Sequence, residues 1–315
     1  MSVGVADAEP DGEPKGRAQK KARDLEVQAQ KKSLERREKE LLEFMKSGQL
    51  VLWGSADRGA PNEMLRSALF STKNRNVPRA SYSLKAPLKV EIIGGGYIRY
   101  YGEELRQDDE TVWMQLVHLA KEARSEGCTF TPHSLIKELG WSSGGPSYAR
   151  LLETIRRLGT GSLEVYSPRF DKGISLRLID TYVYSESDAT GPWHVKVFNS
   201  QTNNVFMFEK LYSRVDWSTR LALPEGVATW LHSFFATHRE PYPHKLETLA
   251  LGAGIPLEIP EDLDLDPKAR IARQKQRLRD AKKTIKRGLE SLVKQGFLVE
   301  FTISRTNLVA VKRAS

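Results

Sequence analysis

The sequence predicts an α+β protein built as two tandem winged-helix (winged helix-turn-helix) domains behind a disordered and charged-helical N-terminal tail. Three observations predict it. A plan of helix, short helix, longer helix and β-hairpin occurs twice; each longer helix pairs an apolar stripe with a basic face; and the first 48 residues have almost no apolar periodicity. Pattern and composition place the tail at 1–58, the first domain at 59–190 and the second at 191–315.

Residues 1–17 are rich in Gly, Pro and acids and read as disordered, while Ala18 to Lys46 reads as a solvated charged helix. Its Leu25, Val27, Leu34, Leu41 and Leu42 make only a ragged stripe. An apolar word, Gln49-Leu50-Val51-Leu52-Trp53, stands between Gly48 and Gly54. Two readings fit it: a docking peptide for another protein, or a staple folded back on the first domain.

Order begins near Asn62, where Met64, Leu65, Ala68 and Leu69 have helical spacing. Val90–Ile93 and Tyr97–Tyr101 read as strands joined by Gly94-Gly95-Gly96, and no phosphate-loop pattern follows those glycines. Asp108 and Asp109 suit the start of a helix carrying Val112, Leu116, Leu119, Ala120 and Ala123. Thr129–Thr131 is a short strand, Pro132 starts a helix, and Ser147 caps a third with Leu151, Ile155 and Leu158 inward. Arg150, Glu153 and Arg157 are expected on its opposite face. A hairpin, Leu163–Ser167 and Ile174–Tyr184, closes the first copy.

The second copy is expected to open with strands Trp193–Phe198 and Val205–Phe208, then a helix carrying Val227, Trp230, Leu231, Phe234 and Phe235. A short helix around Leu246, Leu249 and Ala250 precedes an acidic stretch, Gly252 to Asp266. Pro267 begins the longest helix, and Phe297–Ile303 with Leu308–Lys312 forms the last hairpin around Arg305-Thr306-Asn307.

The chain has 315 residues, a net charge of +9 and a pI of about 9.4, so a polyanion is the favoured partner, either nucleic acid or an acidic membrane surface. No run approaches the roughly 18 apolar residues of a membrane span, and the N-terminus lacks an apolar signal core. Cys128 is the sole cysteine, which excludes an internal disulfide and a cysteine-rich zinc module. A soluble cytoplasmic protein with no membrane association is expected.

A recognition helix buries one face and presents basic and polar side chains to phosphates and base edges. From Lys268 to Lys294 the last long helix carries eleven Lys or Arg against Asp280 and Glu290. Its core stripe, Leu278, Ile285, Leu289, Leu292 and Val293, occupies only the C-terminal half. The expected DNA-binding residues are Ser147, Tyr148, Arg150, Arg156 and Arg157 in the first domain, with Arg169 and Lys172 in its wing. In the second domain they are Arg270, Arg273, Lys275, Arg277, Arg279, Lys282 and Lys283 on the helix and Arg305 in the wing. Catalysis, cofactors and metals are not expected: the six histidines form no H-x-H or H-E-x-x-H pattern, and the acid pairs Glu103-Glu104 and Asp108-Asp109 sit where a helix start wants negative charge.

Several longer words resemble a known family. Asn62 to Phe70, Asn74-Arg75-Asn76 with Pro78-Arg79, Tyr101 to Arg106 with Asp108-Asp109, and His238 to Pro243 with Lys245 to Thr248 are similar to the TrfA family of plasmid replication initiators. The resemblance covers about Gln49 to the C-terminus. It implies two winged-helix domains, binding to double-stranded iterons at a plasmid origin, opening of AT-rich DNA that then offers single strands, and recruitment of the host initiator and replicative helicase. It also implies exchange between monomer and dimer, and host sliding-clamp binding through Gln49, Leu50, Leu52 and Trp53. Two rivals remain at this stage, a winged-helix transcriptional repressor and a rolling-circle nickase using a tyrosine nucleophile.

Overall fold

A computed structural model describes residues 53–123, 125–168, 172–185, 188, 190–198, 212–260 and 266–314. All of these belong to one compact unit, Leu50–Ser315; the remainder of the chain, Met1–Gln49, forms the other unit and lies outside the described residues.

In chain order, β1 (Asp57–Pro61) leads into a single turn, α1 (Asn62–Leu65), then β2 (Ser81–Tyr82), β3 (Leu88–Glu91) and β4 (Tyr97–Glu103). Next come α2 (Gln107–Glu122), β5 (Gly127–Phe130), α3 (Pro132–Glu138) and α4 (Gly145–Thr160). The strands β6 (Ser162–Ser167), β7 (Lys172–Leu176), β8 (Thr181–Val183), β9 (Trp193–Lys196) and β10 (Tyr212–Asp216) follow. Two helices, α5 (Trp217–Ala222) and α6 (Val227–Ala236), precede β11 (His244–Lys245) and α7 (Leu246–Gly252). The chain closes with α8 (Pro267–Lys294), β12 (Leu298–Ile303) and β13 (Leu308–Arg313).

Local chemistry explains several boundaries. The Gly94-Gly95-Gly96 turn has positive φ throughout, between 95° and 111°, which glycine alone adopts without strain. Asp266 caps α8 by accepting from the Ala269 amide at 2.9 Å, with Pro267 in the first helical position. The same helix ends at Gly296, φ 75°, where the Phe297 amide reaches the Leu292 carbonyl and the Gly296 amide that of Val293. That pair of bonds satisfies carbonyls a helix end would otherwise leave open. For α2, the Asp109 carboxylate accepts from the Arg106 amide at 2.8 Å, so an acid serves the helix start as expected.

Two apolar clusters form. The first runs from Trp53 to Trp217 and the second from Leu223 to Val309. Around the first, β4 lies between β3 and β6, and β6 pairs with β7, all antiparallel. A separate sheet orders β5, β9 and β8, and β1 pairs with β10. In the second, β13 lies between β11 and β12. The clusters are tied directly: Trp230 Nε1 donates to Ser67 O at 3.1 Å, Thr72 Oγ1 to Ala253 O at 2.7 Å, and Arg66 Nε to Thr237 Oγ1 at 2.8 Å.

Four expectations need correction. The strand at Trp193, expected to open the second copy, pairs with β5 and β8, and Trp193, Val195 and Phe198 bury in the first cluster. Ile174–Tyr184 is not one strand, because Leu178 and Ile179 turn into the core and the Ile179 amide bonds to Leu158 O. The helical spacing from Met64 to Leu69 yields only one turn, since the backbone leaves helical geometry after Leu65 to bury Leu69 and Phe70. Gly144, not Ser147, is the N-cap of α4. The expected strand Val205–Phe208 lies outside the described residues.

Candidate nucleic-acid interface

Helix α8 is about 42 Å long at 1.5 Å per residue. Only Ala281, Ile285, Gly288, Leu289 and Leu292 are buried, all beyond its midpoint. Residues 271–276 are exposed on every side, including Ile271, and the first apolar side chain of the helix to pack on the second cluster is Leu278. Arg273, Lys275, Arg279 and Lys283 are exposed there and just beyond. Arg279 holds Gln276 Oε1 at 2.7 Å, one turn back. Arg270 and Arg277 face the chain before the helix: Arg270 donates to the carbonyls of Ile259 and Pro260, both at 3.3 Å, and Arg277 to that of Glu258. Lys282 Nζ donates to Asn307 Oδ1 at 3.0 Å, which joins the helix to the hairpin tip where Arg305 is exposed. Asn307 adopts φ 58°, a left-handed turn that asparagine tolerates. Helix and hairpin thus present one basic surface.

The other predicted helix is differently disposed. In α4, Leu151, Ile155 and Leu158 are buried as expected, but so is Arg157, at 8% exposure. Arg157 donates to Asp109 Oδ1 at 2.9 Å and to Thr154 Oγ1 at 3.0 Å, so its expected role in DNA contact is corrected. The reason is angular. Positions 150 and 157 flank the apolar stripe instead of opposing it, and that flank meets the acidic start of α2. Arg150 binds Asp108 at 3.1 Å and Glu225 at 2.7 Å and lies 3.9 Å from the centre of the Trp141 ring. Ser147 and Tyr148 are half-buried, and Tyr148 packs on the first cluster. Arg156 is exposed and donates to the Tyr184 hydroxyl at 2.7 Å. Lys172 begins β7, paired with Ser167, while Arg169 lies outside the described residues.

Gln49, Leu50 and Leu52 also lie outside them. Trp53 is described, and it is 4% exposed. Its Nε1 donates to His118 Nδ1 at 3.1 Å, its carbonyl accepts from Lys121 Nζ at 2.7 Å, and its ring packs 5.6 Å from Tyr212. A Cβ on Gly59 would fall 2.3 Å from the indole, so glycine makes room for it. Of the two readings offered for this word, Trp53 fits the staple on the first domain: it is a core residue of the first cluster. Trp53→Ala should lower stability by about 3 kcal/mol, the usual cost of emptying a buried tryptophan site. Thermal melting with parent-like behaviour would contradict this.

The residues that sequence reasoning missed are buried charges. Asp109, 0% exposed, receives Arg79 at 2.6 Å as well as Arg157. Arg220, fully buried, reaches Glu110 at 3.0 Å and bonds Ser233 Oγ, Thr111 Oγ1 and the carbonyls of Gln107 and Thr229. Single charged residues leave no periodic trace, so only acidic clustering at the α2 start was visible. The Cys128 thiol is pushed up to about 12 by burial and the nearby Glu138 charge, which makes it a poor nucleophile. Among the described residues no group of three or more His, Cys, Asp or Glu could hold a metal. No described helix is long and apolar enough to cross a membrane.

A mixed helix and sheet protein whose open basic features include the exposed start of α8 and the adjoining hairpin tip has a surface suited to a polyanion. The TrfA protein family model matches residues 17–258, and the chain belongs to that family. Helix α8 and the last hairpin fall beyond the matched stretch. A curated relative, the plasmid replication initiator protein TrfA of Escherichia coli, is 33% identical over 205 residues. That alignment covers 64% of this chain and 52% of the relative, so the chain spans about half the relative's length. Among solved structures, domains 2 and 3 of RctB match with a TM-score of 0.53 at 12% identity, covering 81% of this chain and 98% of that one. That likeness concerns the fold alone. A structure of Pi initiator protein in complex with iteron DNA matches with a TM-score of 0.41 at 12% identity, covering 69% and 98%, and carries no structural argument.

Proposed function

We propose that this protein initiates plasmid replication by binding repeated double-stranded sequences, iterons, at an origin. In this reading two winged-helix domains, the second opening after β10 instead of at residue 191, bind duplex DNA without any chemical step. Bound DNA is strained toward opening at adjacent AT-rich sequence, and host replication proteins are brought in. Family membership and the curated relative's description as a plasmid replication initiator support it. The observation that carries the DNA-binding part is the start of α8, which is basic and exposed on every side at residues 271–276, ahead of its first core contact at Leu278. An isolated helix with so few acids loses stability to its own repulsion, and a polyanion removes that penalty. Clamp docking through Gln49 to Trp53 fits this function on one condition: Trp53 must first leave its site beside His118.

Footprinting on the DNA flanking the parent gene tests the proposal, with regularly spaced protection over direct repeats as the expected result. Binding should also be strongly salt dependent. If about six phosphates are neutralised, affinity falls roughly a thousandfold between ~50 and ~200 mM salt. Replacing Arg273, Lys275 and Arg279 together by Ala should flatten that dependence by about three phosphates' worth. A response as steep as the parent's would remove α8 from the interface.

A further inference from the structure

Between α1 and β2 the chain has neither helix nor strand at Lys73–Pro78, and all six residues are exposed. Yet the segment is firmly held. Arg106, 2% exposed, donates to the carbonyls of Asn74 at 2.7 Å, Val77 at 2.8 Å and Pro78 at 3.1 Å. Arg79 then fixes its far end, donating to Glu104 O at 2.6 Å and Asp109 Oδ2 at 2.6 Å. Asp108 accepts from Arg79 on one oxygen and from Arg150 of α4 on the other, so loop and helix share a single carboxylate. A pocket of about 120 Å³ separates the loop from Gly226 at the start of α6. Two of its lining side chains, Arg106 and Gln107, are each 2% exposed and each has a buried polar atom without a hydrogen-bond partner, Arg106 Nε and Gln107 Oε1. The acids that also line it, Asp108 and Glu225, are both engaged by Arg150. What the loop exposes is Lys73, already bonded to Glu104 at 2.7 Å, and Asn74, Arg75 and Asn76. Among the described residues Arg75 has no ion pair.

We propose that the loop Lys73–Asn76 is a further contact with duplex DNA, in which Arg75 grips the sugar-phosphate backbone beside the surface of α4; this rests on the DNA-binding reading above. A buried arginine that fixes three carbonyls of an exposed segment pre-orders that segment, so little conformational entropy is lost when it meets a partner. Phosphate is the chemistry that fits. An arginine fork and two carboxamides match phosphate oxygens, and a spare guanidinium N–H lies at the adjoining pocket wall. The contact adds affinity and fixes the register of the helix on the duplex without reading sequence. Arg106 acts as a positioning residue, holding the loop from beneath.

The test is fluorescence anisotropy of full-length Arg75→Ala across a salt series. Two duplexes of equal length serve as probes, one carrying the repeats found by footprinting and one a scrambled sequence. Expected are a loss of about threefold to tenfold on both duplexes, a salt slope lower by about 1, and an unchanged melting temperature. Arg273→Ala is the control. If Arg273→Ala lowers affinity and slope while Arg75→Ala changes neither, the loop proposal is overturned and the DNA-binding reading stands. A lower melting temperature with the parent's slope would assign Arg75 to folding and overturn it as well. If the parent itself binds neither duplex, the DNA-binding reading fails and the loop proposal falls with it.

Discussion

Arg220→Ala should destabilise the protein by about 3 to 5 kcal/mol, because it strips the counter-charge from a carboxylate that water cannot reach. Arg220 and Glu110 are 0% and 2% exposed at their side chains and stand 3.0 Å apart. The variant also leaves the Gln107 and Thr229 carbonyls without their arginine donor. Burial already pushes the Glu110 carboxyl above its ordinary range and the Arg220 charge opposes that push, so the variant should take up a proton there and recover part of its loss in acid. Against a total stability of roughly 5 to 15 kcal/mol the effect is large and readable by urea unfolding. The double variant Arg220→Ala/Glu110→Ala should be less unstable than the sum of the singles, since it leaves no lone charge. Additive losses, or a parent-like midpoint for Arg220→Ala, would show that the two buried charges are not coupled.

A drop in pH from 7 to 5 should weaken the fold through three buried histidines. Burial, with Arg58 next, lowers His118 to about 4; burial, with Arg220, lowers His232 to about 3; burial, with His238, lowers His244 to about 4. Their surroundings agree: His118 accepts the Trp53 N–H, and His232 packs edge-on at 4.5 Å from the Phe297 ring. Above about pH 6.5 these rings are neutral whether folded or unfolded and contribute no pH dependence. Below it the unfolded chain binds protons that the folded chain refuses, so each histidine removes up to about 1.4 kcal/mol per pH unit until its folded value is reached. Three acting together should lower the melting midpoint by several degrees between pH 7 and pH 5. Melting curves that coincide over that interval would mean the rings are protonated within the fold.

How much of this was legible in the sequence depends on the kind of signal. Helices with long apolar stripes, such as α2, α6 and the second half of α8, were visible because burial repeats with the helical period. Turn chemistry marked the Gly94–Gly96 turn. Strand membership was not legible: nothing local tells β9 that its partners are β5 and β8, since pairing is decided by the rest of the core. At the candidate interface, the exposed start of α8 was foreseen from an apolar stripe that begins only at Leu278. Arg157 was misread because a charged residue beside an apolar stripe looks solvent-bound until the acid opposite it is known. Trp53 was left between two readings for a related reason. One aromatic between glycines has no period, and its pocket is assembled from Gly59, His118 and Tyr212, all distant in sequence or invisible to patterning.

The hydrogen bonds that lash the two apolar clusters together, Trp230 to Ser67, Thr72 to Ala253 and Arg66 to Thr237, make the molecule a caliper. A hinge between its halves would let them settle on sites at many separations, whereas a fixed span compares geometry. On a duplex, each added base pair shifts a site by about 3.4 Å and rotates it by roughly a tenth of a turn. In the proposed reading, with both halves on one duplex, a fixed span would reject a repeat lengthened by one pair on phase alone, even with every base it touches intact. In that reading the interior bonds of the protein would become a measure of length along another polymer.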